Sequence, residues 1–277
     1  MTTEPDYLLG VSDRELARLG FQHEAWARPT HALFDRAGFA PGHRIADLGA
    51  GPGLASVSLA RRVGGDGRVF ALDSSPKAIA TLRRRAEALG LPQIESEVVD
   101  LAEWKPTGQS LDGVFARWLF CFLENPEGLV HRIADGLRPG GSVAILDYFN
   151  YAGFALAPPS SVMSQVVAAV RQSWASGGGS LDVAGSLPGW MAAAGLEVSD
   201  IRPEVHCGRP GTALWNWPKS FFETFLSELV GQSLLSEADA ETFRNDWRSR
   251  ETEPGAYVLT PPVMAIVGRK PVTDRSR

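Results

Sequence analysis

The chain is short of the residues that mark several common protein classes. Two cysteines in 277 residues, Cys121 and Cys207, are too few for a disulfide framework. Neither has a partner at a metal-ligating spacing, so no metal is expected. No apolar run approaches the about 18 residues of a membrane span. The first ten residues, MTTEPDYLLG, are acidic and lack the apolar core of a signal peptide. Basic residues are not in excess: 27 Lys and Arg stand against 32 Asp and Glu, a net charge of −5. That balance argues against a nucleic-acid backbone as the main partner, and Arg83–Arg84–Arg85 reads as the solvated face of a helix. The expectation is a cytoplasmic protein with no nucleic-acid or membrane partner, as monomer or homodimer.

What is present is an alternation. HRIADLGA, GRVFALD, IESEVVD, LDGVFARW and GGSVAILDYF read as strands. The segments GLASVSLARRV, SPKAIATLRRRAEALG and PEGLVHRIADGL read as helices between them. Strands such as RVFALD and SVAILD are continuously apolar, as expected when both faces of a sheet are covered. Strand and helix in turn predict an α/β fold with a mostly parallel sheet and helices on both faces. Ahead of this core, Ser12 with Glu15 offers a capping box for a helix through LARLGFQHEAWARP, and Thr30 a cap for a second helix. Beyond Asn150 the rhythm breaks into helices, a loop ASGGGS expected to be mobile, and a last strand in AYVLTPPVMAIVGRK.

The segment IADLGAGPG places Gly49, Gly51 and Gly53 two apart behind Asp47. Glycine inside an element costs about 0.5–1 kcal/mol relative to alanine, so three together call for a backbone with φ > 0 or a closely approaching ligand. The loop follows the first strand, where ligands of open parallel sheets bind. Asp73 ends the second strand, placed to accept both hydroxyls of a ribose. Asp100 ends the third strand beside the same edge. A dinucleotide fingerprint needs G-x-G-x-x-G, and here Leu54 stands at the last glycine position. Asp47 would repel phosphate and attract an ammonium group. The pattern points to an adenosine-type, cationic ligand without phosphate.

These motifs, with VFALDSSP, EVVDLAEW, LDGVFARWLFCFLENP and LRPGGSVAILDYF, resemble the class I S-adenosylmethionine-dependent methyltransferases, and the small-molecule group related to ubiquinone and menaquinone biosynthesis among them. YLLGVSDRELARLGFQHEAW is similar to their N-terminal helices. The resemblance implies a Rossmann-like seven-stranded, mostly parallel sheet with a helical lid from the N-terminus and C-terminal insertions. It implies one domain over 1–277: a helical cap at 1–40, a cofactor core at 41–150, a substrate lid with the remaining strands at 151–270, and a tail at 271–277. For the cofactor S-adenosyl-L-methionine it implies Asp47 near the methionine amino group and Gly49, Ala50 and Gly51 along its backbone. Asp73 would take the ribose, with Ser74 beside the adenine, Asp100 and the Leu101 amide reading the adenine, and Arg117 near the methionine carboxylate. Gln22 would close over the cofactor from the N-terminal helices. Relatives often follow this arginine with leucine and histidine; here the run is RWLFCF, and that histidine is absent.

Methyl transfer from a sulfonium needs positioning above all, and a base only when the acceptor must lose a proton. His23 and Tyr148 are the candidate helpers. Asp147 reads as a turn residue. Aromatic side chains crowd the variable segments: Trp118, Phe120, Phe122, Phe149, Tyr151, Phe154, Trp174, Trp215, Trp217, Phe221 and Phe222. They predict an apolar or aromatic small-molecule acceptor of secondary metabolism, methylated at oxygen, nitrogen or carbon, with Trp118, Phe122 and Tyr151 as its walls. A fold member that binds the cofactor for other chemistry, cyclase-like, or in a regulatory role stays open as an alternative.

Overall fold

Two helices lead into the sheet of this computed structural model, which describes residues 13–108 and 110–272. Helix α1 spans Asp13–Ala25 and α2 spans Ala27–Ala37. Then follow β1 (Arg44–Leu48), α3 (Leu54–Val63), β2 (Arg68–Asp73), α4 (Pro76–Ala88), β3 (Ile94–Val98), β4 (Leu111–Arg117), α5 (Pro126–Gly136) and β5 (Leu137–Tyr148). Local chemistry sets the helix starts. The Ser75 hydroxyl accepts the Ala78 amide ahead of Pro76, and Asn125 accepts the Gly128 amide ahead of Pro126. In both, proline occupies a first-turn position that needs no amide donor.

The later segments are β6 (Ala155–Ala157), α6 (Met163–Ser176), α7 (Leu187–Ala193), β7 (Glu197–Glu204), β8 (Cys207–Gly208), α8 (Ala213–Gly231), α9 (Glu237–Arg250), β9 (Tyr257–Leu259) and β10 (Val263–Arg269). The main sheet runs β3-β2-β1-β4-β5-β10-β7. β1 through β5 pair in parallel, and β10 is antiparallel to both its neighbours. Strand order reverses between β1 and β4, which opens a crevice beyond their carboxyl ends. Asp47 lies at that edge, in register with Ala71 of β2 and Phe115 of β4. Helix α1 packs against α8, and together with α6 they cover the crevice.

Several expectations change. Ser12 lies outside the described residues. α1 stops at Ala25 and α2 starts behind Trp26, because Pro29 fits the first turn of a new helix and not the middle of a long one. Thr30 is therefore no cap; it is buried within α2. β3 ends at Val98, so Asp100 sits two residues past it. The expected last strand is two, because Pro261 and Pro262 cannot donate to a ladder and separate β9 from β10. β9 joins β6 and β8 in a small sheet that the sequence did not announce. Of ASGGGS, read as a loop, the first two residues end α6, and beyond them the Gly179 amide donates to the Trp174 carbonyl at 3.0 Å and the Ser180 amide to that of Cys121 at 3.0 Å.

Candidate active site

All three glycines behind β1 have left-handed backbone, with φ of +66° at Gly49, +54° at Gly51 and +81° at Gly53. A Cβ on Gly53 would lie 2.5 Å from Leu82 Cγ, so that glycine lets α3 start hard against α4. A Cβ on Gly51 would meet nothing within 4 Å. Its backbone borders a cavity of about 310 Å³ at the β1/β4 switch point. Gly49, Ala50, Ser74 and Leu101 line the same cavity, as do Asp47, Asp73 and Asp100. Asp73 ties the loop to β2: Oδ2 accepts the Gly51 amide at 2.8 Å and Oδ1 the Ser75 amide at 2.9 Å. Burial raises its pKa against the pull of those two amides. Asp100 accepts the Ala102 amide at 2.8 Å and leaves its carboxylate at the exposed rim.

Beneath the loop, the buried Asp47 accepts the Ser56 hydroxyl at 2.5 Å. Burial lifts its pKa to about 7, opposed by Ser56 and by the charge of Arg117. Arg117 ends β4. Its Nη1 donates to the Thr30 hydroxyl at 3.0 Å, its Nη2 lies 3.4 Å from His23 Nδ1, and its guanidinium sits 5.1 Å from the Trp118 ring. Desolvation lowers Arg117 to about 10 and, with the Arg117 charge behind it, His23 to about 4. His23 is therefore neutral near pH 7 and is not among the cavity-lining residues. The structure corrects its role: the ring accepts from Arg117, and a residue so engaged is unsuited to take a proton from an acceptor.

The other half of the cavity is aromatic. Trp118, Phe122, Tyr148, Tyr151, Phe154 and Trp174 line it from the sheet side and α6, and Trp217 and Phe221 from α8. Ring contacts link them, from Trp118 to Trp217 at 5.7 Å and to Tyr148 at 6.0 Å, then from Tyr148 to Tyr151 at 5.2 Å. Trp118 has φ +48°, a left-handed conformation that costs a bulky residue about 1–3 kcal/mol and turns its ring across the end of β4. Burial pushes the phenols of Tyr148 and Tyr151 above their ordinary values, so both stay protonated. Tyr148 can donate a hydrogen bond here but is no base.

Of the expected aromatic wall, Phe120, Phe149, Trp215 and Phe222 do not line the cavity. Phe120 is fully buried, Phe149 is 43% exposed, and Trp215 and Phe222 pack against Trp247. Asp147 is structural, as read from the sequence. Its Oδ2 accepts the Phe120 amide at 2.9 Å and Oδ1 the Tyr148 amide at 2.8 Å, while burial raises its pKa to about 6. Gln22 lines the cavity from α1, with Arg18 and Leu19 beside it. Sequence reasoning missed both, although Arg18 stands four residues before Gln22 and so on the same helix face. It also missed Ser56 and Thr30, whose partners Asp47 and Arg117 come from other elements. Among the described residues no group of at least three His, Cys, Asp or Glu side chains is gathered for a metal ion.

Residues 45–141 match the methyltransferase domain family. A trans-aconitate 2-methyltransferase of Methylobacterium radiotolerans is 28% identical over 254 residues, 88% of this chain and 93% of that protein. The protein of that name from Variovorax paradoxus is 34% identical over 118 residues, and the match spans 43% of each chain, less than half of that relative's length. Among solved structures, geranyl diphosphate C-methyltransferase from Streptomyces coelicolor, in complex with S-adenosyl-L-homocysteine, superposes with a TM-score of 0.59 at 16% identity, over 90% of this chain and 77% of that one.

Proposed function

We propose that this chain, which belongs to the class I S-adenosylmethionine-dependent methyltransferases, methylates a small, largely apolar or aromatic molecule held between α1, α6 and α8. One observation carries the reading. A single cavity joins the glycine loop and its aspartates to a chamber walled by aromatic rings.

The residues present fit the cofactor. Asp47, a buried acid lifted to about 7, favours a cationic neighbour. Gly51 offers backbone open to the cavity. Asp73 and Asp100 line the same cavity, which supports their assignment to a ribose and an adenine. The cofactor, when bound, supplies an electrophilic methyl group on a sulfonium. The chain's own contribution is placement. Arg117, held by Thr30 and His23, fixes the floor between the two halves, and the rings exclude water and orient the acceptor. Holding reactants at about 3–3.5 Å accounts for much of the rate of such a displacement.

Trans-aconitate, named for the relatives, is a polycarboxylate. The cavity presents two guanidinium groups, Arg18, which is ion-paired with Glu15, and Arg117, on which the charge of Asp47 acts. That balance favours a less charged acceptor for this chain. A small-molecule partner, no nucleic acid and a cytoplasmic setting remain part of the proposal. The two cysteines are unpaired, and no helix among the described residues is long and apolar enough to cross a membrane.

The test is calorimetry followed by an acceptor screen. S-adenosylmethionine and S-adenosylhomocysteine should bind in the micromolar range typical of enzyme ligands, and NADH should give no heat. Absence of binding by both sulfur compounds would end this reading.

A further inference from the structure

The aromatic half of the cavity holds one charged lining side chain among the described residues, Arg18 of α1. Arg18 is 6% exposed, and Glu15 grips it from one turn away. Nε donates to Oε2 at 2.7 Å and Nη2 to Oε1 at 2.6 Å. A two-point grip of this kind fixes the plane of the guanidinium. The charge of Arg18 reaches into the chamber, where it acts on both the Tyr148 and the Tyr151 phenol.

The chamber also lacks a proton acceptor among the described residues. His23 is engaged by Arg117 and lies off the cavity. Asp73 accepts two backbone amides and Asp47 the Ser56 hydroxyl, both on the cofactor side. The two tyrosines stay protonated. A phenol or an alkylamine, with a pKa of about 10, would have to give up a proton, and no described side chain of the chamber is placed to take it. A carboxylic acid, with a pKa of about 4, arrives ionised at neutral pH and is already nucleophilic.

We propose that the acceptor is a monocarboxylic acid on an apolar body, oriented by the Arg18 guanidinium and released as its methyl ester. The proposal rests on the methyltransferase reading above. A lone pair of the carboxylate oxygen forms the new carbon–oxygen bond as the methyl–sulfur bond breaks, and that bonding pair stays on sulfur. No proton moves, and a carboxylate and a sulfonium become a neutral ester and a neutral thioether. Loss of both charges in the displacement suits a dry aromatic chamber, because separated charges are costly there and neutral products are not. A polycarboxylate would bring further negative charge against the rings, where an unpaired charge is costly. Glu15 acts as a positioning residue through Arg18.

The experiment uses the full chain with methyl-labelled S-adenosylmethionine. The acceptors are benzoate, phenylpropanoate, phenylbutanoate, octanoate and dodecanoate, each beside its primary amide, alcohol and amine, with propylphenol and trans-aconitate added. The expected result is label in the monocarboxylates alone, released as methanol by alkali. The same acids should raise Tm in the presence of S-adenosylhomocysteine. Arg18→Gln should raise KM for the acid by roughly tenfold or more, the scale of a lost hydrogen bond to a charged group, with S-adenosylhomocysteine affinity unchanged. Arg18→Lys should recover part of that loss. Because Arg18→Gln removes a cation from which both Glu15 oxygens accept, the double variant Glu15→Gln/Arg18→Gln is measured beside it, with Tm reporting that each variant is folded. Alkali-stable label in a phenol, amine or alcohol, preference for trans-aconitate, no label in any acid, or an unchanged KM in a folded Arg18 variant overturns the inference. Failure of S-adenosylhomocysteine to bind the wild-type chain overturns instead the reading on which it rests.

Discussion

Asp73 holds the glycine loop through Gly51, whose amide donates to Oδ2 at 2.8 Å across 22 residues of sequence. The second oxygen accepts the Ser75 amide at 2.9 Å at the start of α4. One carboxylate thus shapes the loop and lines the cavity beside it. Asp73→Ala removes both bonds, each worth roughly 1.5–3 kcal/mol for a charged partner. S-adenosylhomocysteine affinity should fall at least about tenfold, and Tm of the ligand-free protein should fall by several degrees. Calorimetry and thermal melting read the two effects. Normal affinity in the variant would remove Asp73 from the cofactor site.

Gly53 tests the backbone argument. Gly53→Ala would put a methyl 2.5 Å from Leu82 Cγ on a residue with φ +81°. Left-handed strain of about 1–2 kcal/mol adds to overpacking of about 1–3 kcal/mol. A loss of a few kcal/mol is expected in urea unfolding. Gly51→Ala, with open space around its Cβ, should show only the strain. Equal stability of the two variants would contradict the close approach of α3 and α4.

Asp47 sets a pH dependence. Its folded pKa of about 7 lies above the ordinary 3.8, so between those values the folded state holds a proton that the unfolded state has lost. The Asp47 contribution to stability therefore falls as pH rises from about 4 to about 7 and is flat beyond. His23, lowered from 6.5 to about 4, works in the opposite direction over pH 4 to 6.5. A difference measurement isolates Asp47. Relative to wild type, Asp47→Asn should gain stability steadily across pH 4 to 7, on top of a constant offset from the altered contact with the Ser56 hydroxyl. Cationic ligands favour the ionised acid, so their affinity for wild type should rise through pH 7. A pH-independent difference between the two proteins would show that Asp47 does not titrate there.

Positioning and proton transfer separate at Tyr148 and Trp118. Tyr148→Phe removes a hydroxyl that burial keeps protonated, and should lower turnover by less than the ~10²–10⁴-fold of a lost general acid or base. Trp118→Ala removes a ring that meets Trp26 at 5.3 Å and Trp217 at 5.7 Å. Displacing the acceptor by about 1 Å can cost ~10²-fold, and that loss should appear at saturating cofactor. A Tyr148→Phe protein that binds both ligands and is inactive would make Tyr148 the catalytic residue.

The sheet core was legible because its cues are local. Apolar runs such as RVFALD suit strands of a covered parallel sheet, and the alternation with helices leaves little choice of topology. Ser75 and Asn125 cap helices through bonds that span three residues. Gly49, Gly51 and Gly53 announced their positive φ by being glycine, and Asp73 its place by ending a strand. Asp47, Gly49, Gly51, Asp73 and Asp100 line one cavity.

Tertiary structure alone decided which side chains line the aromatic half of the cavity. His23 and Arg18 share α1, five residues apart, and helix geometry turns them to different faces. Which face meets the cavity depends on α8, packed against α1 from about 200 residues downstream. Arg117 finds Thr30 across 87 residues and His23 across 94, distances over which composition and periodicity carry no information. Phe149 and Trp217 look alike as aromatic residues beyond the core strands, yet one is exposed and the other walls the chamber. Burial is a property of the partner surface as much as of the residue. A sequence states which groups can be buried, and only the packed elements state against what.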